Sequence, residues 1–405
     1  MKHLSSTPVA KGRSPLFRSA AFWSVGFRPF FLAASLWPAA AIALWIGLLV
    51  TGGSLPSRFD PLTWHIHAML FGFTYAAVAG FLLTAVPNWT GRSPIRGAAL
   101  AGLAALWLLG RIICLVSILV PLWLATVIEL AFPCLLCAVI SREIIAARNW
   151  RNLMMPIPIA VLGIADLLMH LELAGAPLPA GLGWRLAIVS IVALITAIGG
   201  RIIPAFTRNW LTKQGRFTLS IGHGLIDRIA LAALHTGLVG WAFLPTAQPI
   251  GGLLILAALL NLWRLARWHG LATVSEPLLA ALHVGYLWVV LGAALLGASM
   301  LTDTIPEVAA IHAFTAGAIG TMVLAVMTRV ARGHTGRSLV ADRTTTFLYA
   351  AVVMAGATRV AAGFATESAM RLLQISALLW VVSFLLFASA YGPMLVSSRV
   401  DKRER

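Results

Sequence analysis

The chain has 405 residues, of which 60% are hydrophobic and 11% are charged, and its mean hydropathy is +0.91. A soluble fold of this length cannot bury so much apolar surface, so the composition excludes an ordinary soluble globular protein. The net charge of +17 does not indicate nucleic-acid binding, because no basic module stands apart from the apolar runs. The sequence predicts an all-α, polytopic membrane protein with a single integral membrane domain over residues 1–405.

The apolar residues occur in long continuous runs, and a helix needs about 20 such residues to cross a bilayer. Helices pair every backbone polar group within their own segment, whereas a transmembrane β-barrel would show short alternating segments. The sequence therefore predicts twelve transmembrane helices, at residues 28–51, 64–86, 97–119, 121–140, 153–174, 182–206, 222–247, 249–268, 277–300, 306–330, 343–364 and 370–396. Only Pro121 separates the third from the fourth.

Lysine and arginine residues indicate the orientation of these helices, because cytoplasmic loops are enriched in them. With the N-terminus placed in the cytoplasm, 25 of the 30 basic residues fall on the inner side. The five on the outer side are Arg58, Arg111, Arg185, Arg359 and Arg371. We therefore expect both termini in the cytoplasm, where basic residues also attract anionic membrane lipid.

The segments between the predicted helices are too short to form a soluble domain. Residues 207–220 combine basic and aromatic side chains and are expected to lie at the membrane interface. Cys114, Cys134 and Cys137 all fall within predicted helices. We interpret them as small packing residues, since the spacing of the last two lies within an apolar helix.

Six of the ten histidines fall within predicted helices, where an ionisable side chain is costly and marks a candidate functional site. They are His65, His67, His170, His235, His283 and His312. Imidazole is a common ligand of metals and of haem. A hydrogen bond to a neighbouring helix is the alternative reading, and it stays open for His170, His235 and His283.

The spacing of His65 and His67 sets their directions about 200° apart on a regular helix, so one ion cannot easily be held by both. The pair favours either two centres on opposite sides of the helix, or one ligand beside a hydrogen-bonding group. In the predicted topology this pair, His170 and His312 lie towards outer helix ends, and we expect them to form an outer-leaflet site. The deeper His235 and His283 define a second candidate site.

Three parts of the chain are similar to the sequence motifs of one family. They are WHIHAMLFGF at 64–73 with AGFLLTAVPNWTG at 79–91, GRIIPAFT at 200–207, and HAFT at 312–315 with GTM at 320–322, MTRV at 327–330 and GHTGR at 333–337. These strings resemble the NnrS family, and the length and twelve-helix layout of the chain match that family too.

The resemblance implies a multi-pass protein of the bacterial inner (cytoplasmic) membrane that contains haem and copper. It also implies an association with nitric oxide stress and denitrification. The candidate cofactor-binding residues that it places on this chain are His65, His67, His312 and His170. The candidate metal ligands are His65, His67, His235, His283 and His312.

One position departs from the family pattern. Ala68 stands where members of the family commonly carry glutamate, which puts in doubt any proton-coupled role that needs this carboxylate. For an outward-facing haem, Arg58 or Arg185 is the expected partner of the propionates.

Together these features predict a haem- and copper-binding inner-membrane protein that acts in the nitric oxide and nitrosative-stress response. Its expected partners are nitric oxide or nitrosyl-iron species, membrane lipid and an electron donor. Two alternatives are a haem–copper redox enzyme of the nitric-oxide-reductase or quinol-oxidase type, and a polytopic transporter of metal or nitrosyl-metal species. A sensor without turnover is a third. The sequence identifies no catalytic residue, so it does not decide whether the protein is an enzyme.

Overall fold

A computed structural model describes residues 20–216 and 224–400 of the chain. The protein is 80% helical, and the described residues contain no β-strand. Twelve of the described helices are long and apolar enough to cross a membrane. In chain order they are α1 (Phe27–Thr51), α2 (Pro61–Thr90), α3 (Ala98–Leu115), α4 (Leu122–Ala146), α5 (Trp150–Leu173), α6 (Leu182–Lys213), α7 (Leu225–Phe243), α8 (Gln248–Ala266), α9 (Pro277–Ser299), α10 (Glu307–His334), α11 (Arg343–Phe364) and α12 (Ala369–Val396). The predicted all-α fold with twelve spans is confirmed.

Local sequence explains where two of these helices begin. The carboxylate of Asp60 accepts a hydrogen bond from the backbone N–H of Leu62, and Pro61 occupies the first position of α2, where no donor is needed. Asp342 caps α11 in the same way by accepting from the amide of Thr345.

Helix α6 extends beyond its predicted end. It continues to Lys213, so residues 207–213, which were expected at the interface, form the last turns of this helix. Residues 217–223, which include most of the rest of that segment, lie outside the described part of the chain. Helices α3 and α4 are separate as predicted, with a 3₁₀ turn at Ser117–Leu119 before Pro121.

Burial places four helices at the centre of the bundle. In α2, α6, α9 and α10, between 61% and 78% of an apolar 18-residue stretch is buried, against 28% to 44% in the other eight helices. The two strings that contain His65, His67 and His312 begin on α2 and α10, and the string at 200–207 lies on α6. The sequence features that carry the family resemblance are therefore concentrated on central helices.

Two central helices each contain a π-helical turn directly after a histidine. Residues Ala68–Phe73 follow His67 in α2, and residues Ala313–Ile319 follow His312 in α10. A π turn interrupts the regular i→i−4 hydrogen bonding of an α-helix, and such turns occur frequently at functional sites. The backbone irregularity and the candidate ligands therefore coincide in two separate helices.

Two tryptophans stabilise the irregular backbone of α2. The indole N–H of Trp37 donates to the carbonyl of Ala68, and that of Trp107 donates to the carbonyl of Gly72, each at 2.9 Å. A side chain at Gly72 would collide with the ring of Trp37, so only glycine allows this approach. Helices α1 and α3 thus hold the turn that follows His67.

The even number of helices and the basic residues together predict the side on which each loop lies. Ser54 and Thr302 are exposed in loops expected outside, and Ser93 and Ser338 are exposed in loops expected in the cytoplasm. We expect Ser54→Cys and Thr302→Cys to react with a membrane-impermeant maleimide in intact cells. Ser93→Cys and Ser338→Cys should react only after permeabilisation. The reverse pattern would overturn the orientation, and a mixed pattern would overturn the helix count.

Candidate metal and cofactor site

His65 and His67 lie on opposite sides of α2. His67 is fully buried and faces α4 and α5. His65 is half-buried and stacks on Trp45 of α1, with ring centroids 4.9 Å apart and ring planes inclined by 14°. One turn of one helix therefore supplies an imidazole to each of two sites.

The first site is a buried group of four side chains, which we call the His67 cluster. It consists of His67 on α2, Glu129 on α4, and Asp166 and His170 on α5. One potential ligand atom of each lies within 4.8 Å of the others. His67 Nε2 lies 2.9 Å from Asp166 Oδ1 and 3.9 Å from Glu129 Oε2. The same Asp166 oxygen is 3.7 Å from His170 Nε2. Three helices thus gather two imidazoles and two carboxylates away from solvent.

Arg111 of α3 compensates part of the negative charge of this cluster. Its guanidinium donates to Glu129 Oε2, and the two side chains are 2% and 0% exposed. Removing two charges from water is costly, and the arrangement is tolerable only because each charge faces the other. The pair therefore fixes α3 against α4 beside His67.

Two weaker partners complete the surroundings of the His67 cluster. The hydroxyl of Tyr75 donates to Asp166 Oδ2 at 3.3 Å. Cys114 Sγ lies 3.3 Å from His67 Nδ1, so this cysteine contacts a candidate ligand and is more than a packing residue. Cys137 is half-buried, but Cys134 is exposed, so the packing role expected for this pair does not hold for Cys134.

Several polar atoms in the His67 cluster have no hydrogen-bond partner within the described residues. They include both ring nitrogens of His170 and Oε1 of Glu129. An unsatisfied buried polar group typically costs about 1–3 kcal/mol. A metal ion would satisfy these atoms, and imidazole nitrogens with carboxylate oxygens are a suitable donor set for a first-row transition metal. The residues present therefore fit a metal site.

The second site is a cleft beside α2, which we call the His65–His312 cleft. Its cavity volume is about 80 Å³, so a large prosthetic group would enter only if side chains of the lining moved apart. Most of its lining is apolar and comes from α1, α2, α10 and α12, with Arg359 contributed by α11. Trp45 and Trp380 are the largest apolar side chains of the lining.

A backbone contact determines the tautomer of His312. Its Nδ1 lies 2.8 Å from the carbonyl oxygen of Val308, one turn earlier in α10. Because a carbonyl only accepts, Nδ1 carries the proton, and Nε2 of the neutral ring keeps its lone pair. Metal-ligating histidines are commonly oriented in this way, with one ring nitrogen bound to a carbonyl and the other free to ligate.

The other polar groups around the His65–His312 cleft are already satisfied. The hydroxyls of Thr74, Thr315 and Ser376 each donate to a backbone carbonyl. Within the described chain, the side chains of His65 and Arg359 make no hydrogen bond and no ion pair. The ring of His65 stacks on Trp45. The cleft therefore presents two imidazoles and one guanidinium in an otherwise apolar setting.

The other two candidate ligands lie apart from both sites. His235 Nε2 is 3.0 Å from Thr196 Oγ1, and its Nδ1 donates to the carbonyl of Leu231. His283 Nε2 is 2.9 Å from Thr207 Oγ1. Their threonine partners are separated by 11 residues of α6, which is about 16 Å along a helix axis. The structure thus gives each of these histidines its own hydrogen bond and does not bring them to a shared centre.

A comparison with family models decides the relationship of the chain. The family described as NnrS protein matches residues 21–399, nearly the whole sequence. The chain belongs to the NnrS family. The resemblance noted in the sequence is thereby confirmed, and no curated protein matches the chain.

The NnrS-like strings provide only part of the two sites. They supply His65, His67 and His312, whereas Glu129 and Asp166 lie outside them, on α4 and α5. These two carboxylates were not predicted as site residues. They carry a usable signal, because acidic side chains within apolar transmembrane runs are rare and usually have a partner or a function.

The arginine near the predicted haem site also differs from the expectation. Arg58 donates to the carbonyls of Ser117 and Val120, and Arg185 donates to those of Ala180 and Ala242. Neither lines the His65–His312 cleft, where Arg359 lies instead. Of these three arginines, only Arg359 is therefore placed to contact a group bound in this cleft.

The buried pair of Arg111 and Glu129 yields a stability prediction. Glu129→Gln leaves a buried guanidinium without its counter-charge and should destabilise the protein by about 3–5 kcal/mol. We expect a markedly lower thermal unfolding midpoint in detergent. The double variant Arg111→Gln/Glu129→Gln should lose less than the sum of the two single variants.

Glu143→Gln is the matched control for this prediction. Glu143 pairs with Arg92 and Arg142, which are 46% and 65% exposed, so its replacement should cost no more than about 1 kcal/mol. If Glu129→Gln proves as mild as this control, then the buried pair does not contribute to stability in the way described here.

Proposed function

We propose that this NnrS-family protein binds haem and copper in a bacterial inner membrane and acts in the response to nitric oxide and nitrosative stress. The observation that supports this proposal most is that two histidines on one turn of α2 face two different sites. His65 faces a mostly apolar cleft that also contains His312 and Arg359, and His67 faces a cluster of potential metal ligands. Family membership supplies the link to nitric oxide.

We assign haem to the His65–His312 cleft. His312 offers Nε2 with its lone pair, His65 offers an imidazole without hydrogen bonds, and imidazole is a common axial ligand of haem iron. The guanidinium of Arg359 would pair with a propionate, because arginine binds carboxylates through two parallel hydrogen bonds. The apolar side chains of the lining would cover the macrocycle.

We assign copper to the His67 cluster. Imidazole is a good ligand for copper, and among divalent first-row metals Cu²⁺ binds a nitrogen and oxygen donor set most tightly. His170 has two ring nitrogens available, and Asp166 stands where it can either ligate or orient His67. Cys114 next to His67 adds a sulfur atom within reach of the same ring.

The residues of the chain would tune these groups in a low-dielectric setting. Bound haem would supply an iron atom able to ligate nitric oxide. Nitric oxide is small and weakly polar, so it can enter from the lipid without an aqueous channel. The apolar lining excludes water, and Arg359 supplies the one full positive charge of the cleft.

Metal and haem contents of single variants test the two assignments separately. His67→Ala and His170→Ala should lower copper occupancy at least about tenfold, while the haem absorption persists. The reason is that the loss of even an outer partner of a metal ligand typically lowers metal affinity by roughly 10–100-fold. His65→Ala and His312→Ala should lose the haem absorption and retain copper. Elemental analysis and optical spectra of the purified proteins give both readings.

His269→Asn serves as the control for these variants. His269 is exposed and has a φ of 54°, a conformation that asparagine tolerates. It should retain both cofactors. Loss of both cofactors in every cluster and cleft variant, with the proteins still folded, would contradict the assignment of separate sites.

Arg359 yields an independent test of the cleft. Arg359→Gln removes the proposed partner of the propionate and should speed the transfer of haem to apomyoglobin by about tenfold, the equivalent of 1.4 kcal/mol. Arg371→Gln removes one exposed charge from the same expected side and should leave the rate unchanged. Equal rates for both variants would remove Arg359 from the site.

A transporter is the second candidate, and one observation favours it. The His65–His312 cleft shares Thr74 and Ile319 with a second cleft, whose cavity volume is about 80 Å³. That second cleft shares Phe81, Ile198 and Ile202 with a third cleft, whose cavity volume is about 390 Å³. The three follow α2 and α10 from one end of the bundle to the other. A colourless, metal-free preparation that moves nitrosyl-iron complexes into vesicles would favour transport over the haem proposal.

A further inference from the structure

A groove lies on the side of the bundle where α6 ends, away from the two sites described above. Its floor is α6 and its walls are α5 and α7, and α8 closes one end. In the described residues, both wall helices pack extensively on α6 but make little contact with each other. The groove, which we call the α6 groove, has a cavity volume of about 640 Å³.

Three arginines line the α6 groove without strong partners. In the part of the chain that the structure describes, the side chains of Arg151 and Arg228 form no ion pair or hydrogen bond, and that of Arg201 makes only a 3.4 Å contact with Asn152. All three side chains are exposed. Like charges gathered in this way repel one another unless an anion lies between them.

The single carboxylate in the lining does not neutralise these arginines. Asp227 accepts from Arg264 at 3.2 Å and from Arg267 at 3.1 Å. The guanidinium of Arg264 sits against Gly200, where any side chain would displace it, and also donates to the hydroxyl of Tyr286. This pairing is complete within the bundle, so the three exposed arginines keep their positive charge available for a ligand.

The depth of these arginines matches a membrane surface. Arg201 follows the start of α6 at Leu182 by 19 residues, which is about 28 Å of helix, close to the thickness of the hydrocarbon core. Arg228 lies in the first turn of α7, and Arg151 lies in the 3₁₀ turn at the start of α5. The three guanidinium groups are therefore at the level of the phospholipid headgroups of one leaflet.

The deeper part of the α6 groove is mostly apolar, apart from Thr196 and His235, whose side chains hydrogen-bond to each other. Ile157 and Pro158 of α5, Ala193 and Ala197 of α6, and Leu231 of α7 line it. A small soluble anion would leave these side chains without contacts, whereas an acyl chain would cover them. The groove thus combines a cationic rim at headgroup level with an apolar wall at acyl-chain level.

We propose that the α6 groove is a binding site for an anionic phospholipid of the inner leaflet. The phosphate contacts Arg151, Arg201 and Arg228, and an acyl chain lies along Ile157 and Leu231. Basic pockets between transmembrane helices recognise acidic headgroups in this manner. The proposal concerns lipid binding only and does not depend on haem or copper.

Native mass spectrometry of the detergent-purified full-length protein tests the proposal. The probes are phosphatidylglycerol, phosphatidylcholine of the same acyl chains, and inorganic phosphate as a competitor. The wild type should retain phosphatidylglycerol in preference to phosphatidylcholine, and inorganic phosphate should not displace it. Arg201→Gln/Arg228→Gln should lower the retained phosphatidylglycerol by roughly tenfold or more, from about 1 kcal/mol per basic residue.

Arg96→Gln/Arg343→Gln is the matched control, because it removes two exposed charges expected on the same side, outside the groove, one in a loop and one at the start of α11. It should retain phosphatidylglycerol as the wild type does. Equal loss in both double variants would show a general charge effect and overturn the site. Equal retention of the two lipids by the wild type would overturn it too, and displacement by inorganic phosphate would show a site for free phosphate instead of lipid. The optical spectrum and metal content of each variant are recorded separately, so a failure here stays distinct from a failure of the cofactor assignments.

Discussion

The constraint on which the structure depends is the presence of two imidazoles, two residues apart, on a helix in the interior of a membrane protein. A regular helix sends them in nearly opposite directions, so they cannot share a partner. Each must be satisfied separately, because unpaired polar groups are costly in a low-dielectric interior. In the structure, the ring of His67 on α2 is surrounded by side chains from α3, α4 and α5, and the ring of His65 lies at a cleft. Helices α1 and α10 contribute side chains around His65.

The charges around His67 show how the interior tolerates this arrangement. Glu129 and Asp166 introduce two carboxylates, and Arg111 compensates for one of them. Ala68, where the resemblance in the sequence leads us to expect glutamate, is buried among apolar neighbours. Carboxylates nevertheless reach His67, because α4 and α5 supply them. The candidate metal ligand therefore has acidic partners without a carboxylate at position 68.

Much of the fold could be predicted from the sequence, because hydropathy and length alone define transmembrane helices. The choice of His65, His67 and His312 as candidate site residues could also be made from their spacing and from the family strings. For His65 and His67 the sequence left two options open, namely two centres or one ligand beside a hydrogen-bonding group. Which option holds depends on how α5 and α10 pack on either side of α2. Glu129, Asp166 and Arg359 were not predicted as site residues, because each is a single residue far from the candidate histidines in the sequence. His235 and His283 each lie within hydrogen-bond distance of a threonine on α6, and no local sequence pattern indicates these contacts.

The most direct test of the account is an experimental density map of the protein purified with its native cofactors. The account predicts a flat macrocycle in the His65–His312 cleft, with an imidazole nitrogen about 2 Å from its metal, and a separate metal ion among His67, Asp166 and His170. Density for either group at His235 or His283, or an empty cleft in a preparation that contains haem, would contradict it.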